Sequence, residues 1–197
     1  MRIPPLSERK TFRYILAIGA IGFLSIILAT LNWSFGHQQF GGHDQGVMVD
    51  IAYRMYLGQK PYQDFFSTVP AFFFLGCLWG LQLFGLSWSA FPGMAALFSV
   101  LTFWLLVFMM RRMDMPWKWT LLIAFTAEML GVVSLGYWWY NSVSSISVCL
   151  LLCAGMLVVQ RPEIKLHWVL LTFCAFLAWL GKPNTFTQPR EKGTKGE

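Results

Sequence analysis

The chain has 197 residues, 56% of them hydrophobic, 17% aromatic and 12% charged, with a formal net charge of +6. Soluble domains carry about 25% charged residues, so too few polar groups are present to cover a water-facing surface. This excludes a disordered or nucleic-acid-binding chain despite the positive charge, and several apolar stretches reach the about 18 residues of a bilayer-spanning helix.

The first apolar stretch, Tyr14 to Leu31, follows a basic leader with Arg2, Arg9, Lys10 and Arg13 against Glu8. A cleaved signal peptide has an apolar core of about 7–15 residues and a small-x-small cleavage site. This core is longer and runs into Asn32-Trp33-Ser34-Phe35, so an uncleaved anchor helix is expected. Its amino end is then cytoplasmic by the positive-inside rule, and the chain is expected in the inner (plasma) membrane.

A polar segment, 33–69, opens a first outer loop that extends over 33–87. It holds His37, His43, Asp44, Asp50, Arg54, Lys60 and Asp64. Val47, Ile51 and Met55 recur at helical spacing, predicting a short helix from Asp44 to Leu57 that Gly58 stops. Asp44 can cap its positive end, and Asp50 and Arg54 are i,i+4 partners. Lys60-Pro61-Tyr62-Gln63-Asp64 reads as a loop, in which Asp64 suits a turn that bonds its own backbone. His37 and His43 flank a glycine turn and read as solvated loop residues.

Five further apolar segments follow: Pro70 to Leu86, Trp88 to Met110, Trp117 to Trp138, Ser142 to Gln160, and Leu166 to Gly181. If all cross, Arg111, Arg112, Lys118, Arg161 and Lys165 fall outside, against the positive-inside rule. If Pro70–Leu86 does not cross, those cations join the leader inside, and Tyr137-Trp138-Trp139-Tyr140 becomes an outer aromatic belt. That segment is short, contains Gly76, Gly80 and Gln82, and is crowded with aromatic residues, which favour the interface. The expected fold class is therefore all-α: a polytopic membrane helical bundle of about five crossings, with an interfacial or re-entrant helix in the first outer loop.

Glu128 lies mid-way along the Trp117 segment, where a carboxylate is a functional candidate or is bonded to hydroxyls of a neighbouring helix. Cys77, Cys149, Cys153 and Cys174 lie in apolar segments without CxxC or ligand spacing and read as packing residues. No metal site or cofactor is expected. Residues 1–182 form the expected membrane domain, and 183–197, a polar stretch ending in a charged run from Arg190 to Glu197 without aliphatic residues, an expected disordered tail. No P-loop, GxGxxG, HExxH or GxSxG motif occurs. An acid-rich outer loop lidded by an aromatic helix points to a site for lipid-linked substrates.

Asp44-Gln45-Gly46, then Ala52-Tyr53-Arg54-Met55-Tyr56-Leu57-Gly58-Gln59-Lys60-Pro61-Tyr62-Gln63-Asp64-Phe65, then Pro70, then Leu83-Phe84-Gly85-Leu86-Ser87 resemble the first-loop pattern of C-type membrane glycosyltransferases. The chain is similar over 12–184 to bacterial relatives of protein O-mannosyltransferases and lipid A aminoarabinose transferases. The resemblance implies a polyprenyl-phosphate-sugar donor and transfer to an acceptor on the extracytoplasmic face. It implies Asp44 as the catalytic carboxylate, taking the acceptor proton, and Arg54 and Lys60 as cations for the leaving lipid phosphate. It places Tyr62 and Asp64 with them as substrate-binding residues. Gln45 stands where the mannosyltransferases carry a second acid, so a metal role and the identity of the donor sugar do not carry over. Relatives are commonly more than twice as long, so the resemblance implies an amino-terminal part that does not turn over alone. The alternative is a non-catalytic membrane subunit or polyprenyl-lipid-binding module. A transporter, with polar residues mid-membrane at broken helices, finds only Glu128 in its support.

Overall fold

A backbone surrounded by apolar groups must satisfy its own N–H and C=O groups, and a helix does so within one segment. The computed structural model describes residues 6–38, 43–65, 71–133 and 140–181, and among them every regular element is helical. In chain order these are α1 (Leu6–Gln38), α2 (His43–Tyr56), α3 (Ala71–Phe84), α4 (Ala90–Arg112), α5 (Trp117–Glu128) with a π-helical turn (Met129–Val133), α6 (Tyr140–Gln160) and α7 (Lys165–Gly181). The expected tail at 183–197 and the aromatic run Tyr137 to Trp139 lie outside the described residues.

Among the described residues three helices are long and apolar enough to cross a membrane: Tyr14–Gln38, Ala90–Arg112 and Ser142–Gln160, with mean hydropathies of 2.3, 2.1 and 2.3. Their outer faces carry large apolar side chains in the open, among them Ile18 at 69% exposure and Val159 at 84%. Water would penalise such surfaces; hydrocarbon does not. The described residues are all-helical, and their long apolar helices are those of a membrane protein.

The helix ends follow local chemistry. α1 runs on to Gln38, past the expected end at Leu31, so His37 belongs to a helical turn rather than a loop. Two bonds support the extra turns: Asn32 donates its side-chain amide to Leu28 O at 2.9 Å, and the Trp88 indole donates to Gly36 O at 2.8 Å. α2 stops as expected at Gly58, whose φ of 88° a residue with a Cβ adopts reluctantly. There Gly58 N–H reaches Met55 O at 2.9 Å and Gln59 N–H reaches Arg54 O at 3.0 Å, the paired bonds of a Schellman cap. α4 tolerates Pro92 because a helix's first turn has no partner for that N–H. Asp114, at φ 59°, reverses the chain before Pro116 opens α5.

α1 and α4 run antiparallel. Trp88 and Ser89, before α4, meet Gly36 and His37 at the end of α1, while Trp104 donates to Ser25 Oγ at 2.8 Å deeper in the bundle. At the other end Arg161, after α6, pairs with Asp114, after α4, at 2.6 Å, so the two basic turns share one end. His167 Nδ1 faces Leu157 O at 3.0 Å and Arg161 O at 3.2 Å. Both are acceptors, so that nitrogen carries the proton and stitches α7 to the end of α6. The main apolar core joins α1, α4, α5, the π turn, α6 and α7 around Leu28, Phe103, Leu106, Leu150 and Cys174. A second core packs α2 and α3 onto the first turns of α4 and α6 through Met48, Ile51, Phe74, Cys77, Phe91 and Val143. Both short helices thus sit at the end of the bundle where α1 finishes.

Candidate functional site at the loop end of the bundle

The segment expected as the first outer loop holds two short helices, of 14 residues each, packed over the ends of α4 and α6. Met48, Ile51 and Ala52 form the buried face of α2, as the helical repeat requires. The opposite face is different. Gly46, Val49, Asp50 and Tyr53 line a cavity of about 530 Å³ against Leu81 of α3 and Trp88 and Phe91. Trp88 is held there by its bond to Gly36 O and by Phe91, whose ring centroid lies 5.3 Å from its own. His37 pins the same corner: its Nδ1 lies 2.7 Å from Trp33 O and its Nε2 3.0 Å from Ser89 Oγ. A carbonyl only accepts, so Nδ1 carries a proton.

The residues singled out in the sequence divide into two groups. Arg54, Lys60, Tyr62 and Asp64 come together at the carboxyl end of α2. Arg54 Nε donates to Asp50 Oδ2 at 2.8 Å, the expected i,i+4 pair, and its guanidinium carbon lies 6.0 Å from the Phe65 ring centroid. Asp64 Oδ2 accepts the Lys60 backbone N–H at 2.7 Å, and Asp64 N–H returns a bond to Lys60 O at 2.9 Å. That carboxylate therefore closes its own turn, with Tyr62 at φ 64° inside it. Lys60 and Tyr62 are exposed. Asp44 is the second residue of α2, and its side chain lies outside the described residues. Positions 44 and 54 are ten helical steps apart, about 15 Å along the axis at 1.5 Å per residue. Position 44 also falls on the helix face of Met48 and Ile51, away from the cavity stripe.

Glu128 is absorbed by its neighbours. Ser99 Oγ donates to its Oε2 at 3.0 Å and Thr102 Oγ1 to its Oε1 at 2.7 Å, tying α5 to α4 where the π turn begins. Among the described residues no three His, Cys, Asp or Glu side chains gather as metal ligands. The roles of Trp88 and His167 were not read from the sequence. Each meets a carbonyl near a helix end, Gly36 O in α1 or Leu157 O in α6, and only the placement of that end shows which side chain reaches it. No family model, curated protein or solved structure matches the chain.

Proposed function

We propose that this chain binds a polyprenyl-phosphate-linked sugar at the extracytoplasmic membrane surface and takes part in transferring the sugar to an acceptor. The observation that carries the reading is the loop end itself. Two helices of 14 residues, about 21 Å long against about 30 Å of hydrocarbon, cover an apolar cavity whose one charged lining residue, Asp50, is paired with Arg54 beside it. A substrate with an apolar chain and an anionic head suits that pairing of surfaces.

The proposed topology has about five crossings, formed by α1, α4, α5 with its π turn, α6 and α7, with the amino terminus cytoplasmic and α3 re-entrant or interfacial. Two contacts support it. Asp114 and Arg161 bring both basic turns to one end, and Gly80 of α3 packs against Ala90 and Met94, in the first turns of α4.

In this reading Asp44 takes the proton of the acceptor as its oxygen bonds to the anomeric carbon. The bond from that carbon to the phosphate oxygen breaks, and polyprenyl phosphate leaves with the electron pair. Arg54 and Lys60 hold the departing phosphate through charge-assisted bonds, with Tyr62 and Asp64 shaping the loop around it. The separation of positions 44 and 54 favours a second reading, a polyprenyl-lipid-binding module without catalysis. A base and a phosphate clamp acting on one anomeric carbon must each lie within a few ångströms of it, since reacting atoms sit about 3–3.5 Å apart.

Lipid nanodiscs holding the chain, offered a mixture of polyprenyl-phosphate sugars, separate the readings. Saturable donor binding, weakened about tenfold by Arg54→Ala with Lys60→Ala, is expected for both. Donor consumption favours the transferase and its absence the module. No binding at all overturns both.

A further inference from the structure

At the opposite end of the bundle, α1 and α5 leave a groove of about 550 Å³, lined by Leu16, Ala17 and Ala20 on one side, Leu121 on the other, and by Arg111 and Lys118. On the α1 side the groove's lining pairs Leu16 with two small side chains, Ala17 and Ala20. Its flanks are apolar and open, with Ile15 at 62% exposure on α1 and Leu122 at 54% on α5. In a membrane these flanks face lipid, so the groove opens to acyl chains rather than to water.

Its cations are oriented. The Arg111 guanidinium carbon lies 4.4 Å from the Trp117 ring centroid, and Nη1 donates to Met115 O. A guanidinium has five N–H donors, so this anchoring leaves donors for a further acceptor. The Lys118 ammonium lies 5.2 Å from the Trp119 ring centroid, a weak contact that leaves its charge available. The surrounding turns carry Arg111, Arg112, Lys118, Arg161 and Lys165 against Asp114 and Glu163, and Asp114 is already paired with Arg161 at 2.6 Å. The field at the groove is therefore positive.

We propose that this groove binds an anionic phospholipid of the surrounding leaflet, its phosphate between Arg111 and Lys118 and one acyl chain along Ala17 and Ala20. Arginine suits the phosphate because its planar fork offers two parallel donors, and lysine adds a point charge. A free phosphate would leave the apolar walls empty, and a zwitterionic lipid brings no net charge to the positive turns. Basic pockets between membrane helices are suited to such head groups.

The test is native mass spectrometry of the whole chain released from vesicles of equal phosphatidylglycerol and phosphatidylcholine. Wild type is expected to retain phosphatidylglycerol, saturating at one tightly held lipid, and Arg111→Gln with Lys118→Gln to lower that preference about tenfold. Arg112→Gln, a neighbouring cation outside the groove, should leave it unchanged. Equal retention of both lipids by wild type overturns the proposal, as does an Arg112→Gln loss matching the double variant. Should the double variant lose its helical circular dichroism, Ala20→Leu decides instead, because it fills the groove and keeps both cations. Loss of the bound lipid in Ala20→Leu supports the site, and undiminished retention overturns it.

Discussion

A carboxyl group among apolar helices persists only where other polar groups meet it. Glu128 is met twice, by Ser99 and Thr102 of α4. Hydrogen bonds between membrane helices average about 0.6 kcal/mol with a maximum near about 1.7, so Thr102→Val should destabilise the bundle by about 1 kcal/mol. Glu128→Ala should cost more, because it removes both bonds and leaves a cavity. Thermal unfolding in detergent reads both, and melting temperatures equal to the parent's would show that the clasp adds nothing. Asp44 calls for a different measurement. In a chain competent for transfer, Asp44→Asn keeps the shape and removes the base, so transfer should fall about 10²–10⁴-fold while donor binding persists. Near-normal transfer would reduce Asp44 to a helix-end residue.

Among elements, α3 and α4 are held in register by glycine. A Cβ on Gly80 would lie 2.6 Å from Met94 Cγ and 2.8 Å from Ala90 O, the second a backbone atom that cannot swing away. Gly80→Ala should therefore force the helices apart at about 1–3 kcal/mol. The same change at Gly22 or Gly155, where nothing lies within 4 Å, should leave stability unchanged or slightly raised. Melting of the three variants side by side checks this, and an equal response at all three positions would refute the close α3–α4 contact. Gly58→Ala acts on the end of α2 instead. It places a Cβ at φ 88° and should cost about 1 kcal/mol, loosening the turn that carries Lys60, Tyr62 and Asp64. Donor binding should weaken with it while the main core keeps its stability.

For the molecule as a whole, the decisive quantity is which turns share a side of the membrane. Single cysteines in a chain freed of its native ones should react with an impermeant reagent from outside at Gln63, and not at Asp114 or Glu163. The Asp114–Arg161 pair requires the last two to behave alike. Labelling of Asp114 from outside would restore a crossing by α3 and invert every later helix. The pair itself is exposed, and surface ion pairs contribute about 0–1 kcal/mol. It reports proximity of the turns more than it stabilises them.

Features that depend on near neighbours along the chain were legible in the residues alone. The apolar runs identified a helical membrane protein. The i,i+4 spacing of Asp50 and Arg54, the stop at Gly58 and the self-bonded turn of Asp64 all involve partners within a few residues, and the structure has each of them. The tertiary structure decided what depends on distant partners. Trp88 finds Gly36 across 52 positions and Trp104 finds Ser25 across 79; no local pattern encodes such a meeting. The same holds for the cavity, whose lining brings Val49 and Tyr53 of α2 together with Leu81 of α3 and with Trp88 and Phe91. The separation of position 44 from Arg54 is of the local kind, since it follows from the helix expected over Asp44 to Leu57. Sequence spacing makes them near neighbours, but a straight helix keeps them about 15 Å apart, because each added residue carries the chain further along its axis.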